Sequence, residues 1–230
     1  MRNLRVRTLL LALVAVFAMS VVASATASAK TAMPEIVNKE GKFPTKTGFK
    51  STSGASEFET KAGHLLKCTA DSDTGKLTGP SSDESTITFT GCSTTDIVTL
   101  KCKTEGAKEG EIVLKATSEL VWLNKSEESE PGELIGLPAA GLTIKCSSLE
   151  TLKVTGSTTC PISGFKVLSA TGTVTCEQTK GVQKYTTYYL EGTKENKTET
   201  TGTGSIGFGP EPSGLKSTDS LTYEEEVEII

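Results

Sequence analysis

Six cysteines occur in this chain, and most of them follow a short run of alternating apolar and polar residues. They are Cys68, Cys92, Cys102, Cys146, Cys160 and Cys176. Three of them end the same pattern of an apolar residue, a lysine and a cysteine, and Val174-Thr175-Cys176 is a variant of it. Successive side chains in a β-strand point to opposite faces, so each of these sulfurs lies on the side of the residue two positions earlier. The pattern therefore predicts strands that carry inward-facing cysteines.

Inward-facing sulfurs in an oxidising compartment form disulfides with each other. Six cysteines allow 15 pairings, and one sequence does not choose among them. The preferred pairs for the first four cysteines are Cys92–Cys102 and Cys68–Cys146, of which the first would close a hairpin-sized loop. Such a loop contributes about 3 kcal/mol in the chain-entropy model. Disulfides are therefore predicted to supply a substantial part of the about 5–15 kcal/mol that stabilises a typical domain.

The first 29 residues have the features of a secretory signal peptide. Three arginines lie within the first seven residues, an apolar run covers 9–19, and small residues fill 24–29. The apolar run is too short to cross about 30 Å of hydrocarbon as a helix. We therefore predict cleavage near Ala29, and a secreted location that is extracellular or at the cell envelope.

The charge balance narrows the classes of partner. The chain has a formal net charge of −4, and removal of residues 1–29 takes away three arginines and no acid, which leaves −7. Nucleic-acid binding needs clustered basic residues, so nucleic acid is not expected as a partner. No apolar stretch after residue 29 approaches the length of a transmembrane segment. The expected partner is an unidentified extracellular ligand, either a glycan, an envelope component or a protein.

The remaining sequence is typical of an all-β protein. Threonine is abundant in segments where apolar and polar residues alternate, and glycine and serine cluster between them. We predict one domain over 47–230, an antiparallel sandwich or barrel-like fold that is cross-linked by disulfides, preceded by a loosely held arm over 30–46. The predicted strands cover 64–69, 86–90, 98–103, 111–123, 142–146, 151–155, 165–169, 172–176, 185–190 and 221–229.

Two polar segments are assigned to connections between strands. Asp71-Ser72-Asp73-Thr74-Gly75 is similar to the start of a calcium-binding loop, but it lacks the later acidic ligands that such a loop requires. The segment is therefore predicted to form a tight turn, with Asp73-Thr74-Gly75 as a hairpin. The acidic stretch 124–133, which ends near Pro131-Gly132, is predicted to be an exposed loop.

The sequence shows no convincing set of catalytic residues. His64 is the only histidine, and on a strand it would lie about 13 Å from Cys68, whereas a catalytic dyad needs about 3 Å. With one histidine and no C-x-x-C pair, a zinc site is not expected. Trp122 is expected in the core. We predict no catalytic, cofactor-binding or metal-binding residue, although a hydrolase that uses a pair of glutamates stays open as an alternative.

Several of these segments also resemble a large paralogous group of exported, functionally uncharacterised β proteins of soil actinobacteria. The segments that carry the resemblance are 33–35, Cys68-Thr69, 76–80, 89–92, 110–113, 123–125, 181–183 and 217–221. The resemblance implies a secreted β protein with shared cysteines at positions 68, 92, 102 and 146. It implies that Cys160 and Cys176 are additions to this shared set, so these two cysteines are expected to form a disulfide with each other. It implies no activity and no catalytic residue.

The leading hypothesis for function is a secreted, non-catalytic module that binds an extracellular ligand. The alternatives are a secreted hydrolase that uses two glutamates and a structural matrix protein. The hypothesis depends on the combination of export, a cross-linked scaffold and polar loops.

Overall fold

The computed structural model describes residues 33–95, 99–124, 130–190, 193–194, 200–204 and 210–230. Within these ranges the chain forms β-strands and no helix, so no described helix is long and apolar enough to cross a membrane. The strands are β1 (Ile36–Asn38), β2 (Gly48–Ser53), β3 (Ser56–Thr60), β4 (Leu65–Cys68), β5 (Ala70–Gly79), β6 (Ser82–Thr90), β7 (Ser93–Thr94), β8 (Cys102–Lys103), β9 (Glu111–Trp122), β10 (Pro131–Gly136), β11 (Leu142–Cys146), β12 (Glu150–Pro161), β13 (Ser169–Cys176), β14 (Gln178–Thr179), β15 (Val182–Gln183), β16 (Tyr189–Leu190), β17 (Thr193–Lys194), β18 (Thr200–Gly204) and β19 (Glu211–Ile229).

Alternation along the strands decides which side chains face the interior. In β9 every even-numbered residue from 112 to 120 is buried, and the residues between them are half-buried or exposed. In β5 the odd-numbered residues Asp71, Asp73 and Leu77 are buried or half-buried, and the even-numbered residues from Ser72 onwards are exposed. The period of two is the period of a pleated strand, so the sequence itself sets the inner face.

The strands form two large antiparallel sheets. Sheet A has the order β12–β10–β9–β6–β5–β2–β19–β13, with β1 paired to the end of β19 and the β16–β17 pair attached to β9. Sheet B has the order β7–β4–β3–β19–β18–β12–β11–β8. The expectation of an all-β, antiparallel, disulfide cross-linked fold is therefore confirmed.

Two long strands belong to both sheets. Residues 150–156 of β12 pair within sheet B, and residues 157–161 pair within sheet A. In β19, residues 211–216 pair within sheet B, and residues 217–229 pair within sheet A. Because these strands continue from one sheet into the other, they connect the two sheets through backbone and hydrogen bonds.

Sheet A curls around its own inner face. Its end strands β12 and β13 are joined by the Cys160–Cys176 disulfide, and an antiparallel bridge between Ile162 and Val174 follows directly. The inner face holds one apolar core, formed by Ile36, Phe49, Leu77, Leu120, Cys160, Ile162, Val174, Cys176, Leu221, Val227 and Ile229. Trp122 is 4% exposed and packs edge-on against Phe165, with ring centroids 5.6 Å apart, so its expected place in the interior is confirmed.

A second apolar core lies between the two sheets. It takes Ile112 from sheet A, and Leu66, Ile144, Leu152 and Val154 from sheet B. The four cysteines at positions 68, 92, 102 and 146 belong to this core. Their sulfurs are therefore inward-facing, as the alternating pattern indicates.

All six cysteines form disulfides, but two of the preferred pairs are wrong. The bonds are Cys68–Cys92, Cys102–Cys146 and Cys160–Cys176, and only the last was among the preferred pairs. Cys92 and Cys102 are neighbours through the backbone, since the N–H of Cys102 donates to the carbonyl of Cys92 at 3.0 Å. The disulfide partner of Cys102 is Cys146, which faces it across β8 and β11 with the Cα atoms 3.9 Å apart. These four cysteines lie in one core, so several of them are close to each other in space. Their separation in the sequence therefore does not show which of them are bonded.

The predicted loose arm differs from the structure over 33–46. In β1, Ile36 lies opposite Ile229, and Ile36 and Val37 are each 4% exposed. The hydroxyl of Ser81 donates to the carbonyl of the buried Pro34 at 2.7 Å. The packed unit therefore begins before residue 47, because three apolar residues of the arm complete the edge of sheet A. The predicted signal peptide lies outside the described residues.

Three predicted local structures are also corrected. Asp73-Thr74-Gly75 is not a hairpin but lies inside β5, which is hydrogen-bonded to β2 on one side and β6 on the other. Pro131-Gly132 opens β10 and is buried rather than exposed, whereas 125–129 lie outside the described residues. The predicted strand over 165–169 is replaced by a single bridge between Phe165 and Ile229, and β13 starts at the end of that range.

Candidate functional site

A cavity of about 60 Å³ lies against the inner face of sheet A. Although most of its wall is apolar, five carboxyl groups from four strands also line it. They are Asp71 and Asp73 of β5, Asp83 of β6, Glu133 of β10 and Asp219 of β19. We call this space the acid cavity. Among its described lining residues there is no lysine, arginine or histidine.

The first part of the acid cavity is a lateral row across three strands. Ser53 of β2 lies between Asp219 of β19 and Asp71 of β5, with both as register partners. The Ser53 hydroxyl donates to Oδ2 of Asp71, and the Ser217 hydroxyl donates to Oδ2 of Asp219 at 2.7 Å. Asp71 and Asp219 are also within hydrogen-bonding reach of each other, which requires a proton on one of the two carboxyls.

The second part of the acid cavity is built around two serines. Ser118 of β9 is the register partner of Asp83, and its side chain hydrogen-bonds to both Asp83 and Glu133. Ser85 hydrogen-bonds in the same way to Asp73. Four hydroxyl groups therefore serve five carboxyls, and Asp73 also accepts from the backbone N–H of Thr74. Because the Ser118 hydroxyl has a single proton to donate, it bonds to both Asp83 and Glu133 only when one of these two carboxyls is protonated.

Burial perturbs the acids strongly. Loss of water contact raises the pKa of Asp83 to about 7, and the nearby charge of Asp73 adds to the effect. The same cause raises the pKa of Glu133 to about 8, with the charge of Asp83 as the second contribution. Burial and the contact with Asp219 raise the pKa of Asp71 to about 7. Burial also raises the pKa of Asp73. At neutral pH the acid cavity therefore holds both protons and negative charge.

Three carboxyl oxygens in the acid cavity are buried without a hydrogen-bond partner. They are the Oδ1 atoms of Asp71, Asp73 and Asp83. Asp71 is only 5% exposed and lines the cavity, so its Oδ1 atom is shielded from bulk solvent. An unsatisfied buried acceptor costs about 1–3 kcal/mol, and more when it is charged. These atoms mark the place where a donor is missing.

An apolar cavity of about 110 Å³ lies beside the acid cavity, between the two sheets. Its wall consists almost entirely of aliphatic and aromatic side chains. The described lining residues are Ser56, Phe58, Leu66, Cys68, Ile87, Phe89, Ile112, Leu114, Ile135, Leu137, Leu142, Ile144, Val154, Thr158 and Leu215. We call this space the apolar cavity.

Four side chains line both cavities and form the boundary between them: Ile87, Phe89, Ile135 and Leu215. The strands run from one cavity to the other. On β6 the inward series Asp83, Ser85, Ile87, Phe89 changes from acidic to apolar, and on β10 Glu133 is followed two residues later by Ile135. Inward positions on one strand are about 7 Å apart. On β6 and β10 the inner face therefore changes from acidic to apolar along the strand.

Three of the residues singled out from the sequence line the acid cavity, namely Cys176, Asp71 and Asp73. Cys176 lines the acid cavity and Cys68 the apolar cavity, but both sulfurs are in disulfides. His64 is half-buried near sheet B, and the disulfide of Cys68 removes the thiol that a dyad would need. Asp71 and Asp73 were noticed, but as parts of a turn.

Sequence reasoning missed the acid cavity as a whole. Asp83, Glu133 and Asp219 carry no local motif, and they come from strands that are far apart in the chain. One signal was available: Asp71 and Asp73 are two positions apart, with Ser72 between them. That spacing puts both carboxyls on one face of a strand.

Neither a metal site nor a similarity to a known protein assigns a function to these cavities. Among the described residues, no group of three or more His, Cys, Asp or Glu side chains is arranged to hold a metal ion. No protein-family model matches the chain, and no curated protein matches its sequence.

Proposed function

We propose that the protein is a secreted, non-catalytic β-rich module that binds a small ligand by enclosing an apolar group in the apolar cavity. The observation that supports this proposal most directly is the size and lining of that cavity. A cavity of about 150 Å³ with a lining of Leu, Ile and Phe stays dry and binds benzene or xenon. The apolar cavity is of the same order, about 110 Å³.

Empty apolar space is costly for a protein. Residual cavity volume destabilises by about 24 cal/mol per Å³, so about 110 Å³ corresponds to roughly 3 kcal/mol. That is a large fraction of the about 5–15 kcal/mol by which domains are typically stable. A ligand that fills the space would recover the lost contacts. The cost of leaving it empty favours a binding role.

The disulfides favour a preformed site. Cys68, bonded to Cys92, lines the apolar cavity, and the Cys102–Cys146 bond lies in the same core. Two cross-links therefore hold walls of the cavity in place before a ligand arrives. A preorganised site loses less conformational entropy on binding, which strengthens affinity.

The alternative of a hydrolase that uses two glutamates has less support. Glu133 is the only glutamate among the described residues that line the acid cavity, and its neighbours there are aspartates. The proposed location outside the cytoplasm is supported by the three disulfides, which persist in oxidising compartments.

Benzene is a suitable probe for the proposed function. We expect saturable binding, seen as shifts of methyl NMR signals from Ile, Leu and Val residues that line the apolar cavity. Val154→Phe, which places a ring in the cavity, should abolish these shifts. Val182→Phe is the matched control, because Val182 is 48% exposed and lies outside the cavity. The proposal fails if benzene does not bind, or if both variants respond alike.

A further inference from the structure

We propose that the acid cavity holds the ammonium group of an amphiphilic amine whose hydrocarbon part occupies the apolar cavity. This inference rests on the proposed function, and it names the class of ligand. It follows from the position of the two cavities, which share four wall residues, and from the acceptors that the acid cavity leaves without a partner.

The charge of the acid cavity selects a cation. Five carboxyls line it, and no described lining residue is basic, so only bound protons offset the negative charge of its wall. Buried carboxylates are tolerated when they are paired with positive charge and hydrogen-bonded. A ligand that brings a positive charge therefore gains the interaction that the wall lacks.

The hydrogen-bonding pattern selects an ammonium group among cations. A primary ammonium group offers N–H donors, and the buried Oδ1 atoms of Asp73 and Asp83, two acids whose charges act on each other and on Glu133, have no partner. A divalent metal ion would instead need several oxygens at about 2.0–2.6 Å around one point. The described acids are not arranged in that way.

The hydrocarbon requirement follows from the strand direction. From Glu133 the inner face of β10 continues to Ile135, and Leu137 follows two residues further on. Four residues separate Glu133 from Leu137, which is about 13 Å along a strand. One extended ligand can therefore place its ammonium group near Glu133 and its alkyl chain towards Leu137. Each methylene that is buried contributes about 0.8 kcal/mol.

The titratable groups that face the ammonium position come from four strands. They are Asp71, Asp73, Asp83, Glu133, Asp219 and the phenol of Tyr223. Binding of a cation favours the ionised carboxylates and lowers their pKa, so it releases protons near neutral pH. The affinity for an amine should therefore rise with pH across the range in which these acids ionise.

The test compares hexylamine with hexanol, which have the same chain and different head groups. Calorimetric titration near pH 8 should give at least tenfold tighter binding of hexylamine, with proton release that shows as a dependence on the buffer's ionisation enthalpy. Near pH 5.5 the advantage of the amine should fall. Methylamine, which lacks the chain, should bind at least tenfold more weakly than hexylamine.

Asp83→Asn, which removes a charge next to Glu133, should remove most of the advantage of hexylamine and leave the affinity for hexanol and benzene unchanged. Asp73→Asn provides a second variant should the first not fold. The matched control is Glu119→Gln, on the outer face of β9 next to Ser118, which should change neither affinity.

The outcomes separate this inference from the proposed function. Binding of benzene and hexanol without an advantage for hexylamine overturns the inference, because water then occupies the acid cavity, and it leaves the function standing. Equal affinity for methylamine and hexylamine overturns the link between the two cavities. Failure of benzene and hexanol to bind overturns the proposed function itself.

Discussion

The buried acids make a specific prediction about stability and pH. Burial raises the pKa of Asp83 to about 7 from an ordinary value of 3.8. Between these two values the folded protein holds a proton that the unfolded chain has released. The contribution of the Asp83 proton to stability is therefore fully present below about pH 4, and it is lost as the pH rises from there through 7. The free energy of unfolding should fall as the pH rises from about 5 to about 7.

The magnitude follows from proton linkage. One retained proton changes the free energy of unfolding by about 1.4 kcal/mol per pH unit, which gives about 2 kcal/mol between pH 5 and 7, because half of this proton has been released at pH 7. Asp71 and Glu133 act in the same direction, but ionisation of one acid opposes ionisation of its neighbours, so the effects do not add. Glu57 does not offset the loss, because the hydrogen bond from Lys67 lowers its pKa and it has ionised below this range.

Urea unfolding at several pH values, with the disulfides intact, measures this effect. Asp83→Asn keeps a neutral amide at every pH, so its stability should match that of the natural chain near pH 5 and should decline less towards pH 7. Glu119→Gln removes an exposed acid from the neighbouring strand and should preserve the full decline. The reasoning is refuted if stability is constant or rises between pH 5 and 7, or if Asp83→Asn declines as steeply as the natural chain.

Three further substitutions test the packing. The hydroxyl of Thr158 is buried without a partner beside the apolar cavity, so Thr158→Val should raise the free energy of unfolding by about 1 kcal/mol, and a loss of stability in urea would contradict this. A Cβ on Gly75 would lie 2.3 Å from the ring of Phe49, so Gly75→Ala should lower the free energy of unfolding by about 1–3 kcal/mol. Gly54→Ala is the control, because the space around Gly54 is open, and it should lower the free energy of unfolding by less than about 1 kcal/mol. Removal of the Cys160–Cys176 bond by a double change to alanine should lower stability by about 3 kcal/mol, since the bond closes a loop with a sequence separation of 16, and an unchanged melting temperature would refute that estimate.

The strands that could be predicted are those in which local preference and tertiary role agree. Over 111–123 the alternation is regular and the residues are good strand formers, so the prediction nearly matches β9. The segment 71–75 failed for the opposite reason. Aspartate and glycine favour turns and are depleted in strands, yet here they lie in a central strand because their side of it faces the acid cavity.

The candidate site was beyond the reach of the sequence because it is assembled by topology. Asp71 and Asp219 meet only because β2 brings Ser53 between β5 and β19. No local spacing encodes that arrangement. The cysteines show the same limit, since their inward orientation was predictable from alternation but their partners depended on which strands are adjacent.

The position of β19 in the order of synthesis has a consequence for how the chain matures. This strand supplies a neighbour to β1, β2, β3, β13 and β18, all of which are made before it. Until Glu211–Ile229 have left the ribosome, both sheets keep open edges, and a chain truncated before this strand lacks the partner that closes them. Both sheets therefore become complete only after β19 has been made, through contacts between distant parts of the sequence, and such contacts slow folding.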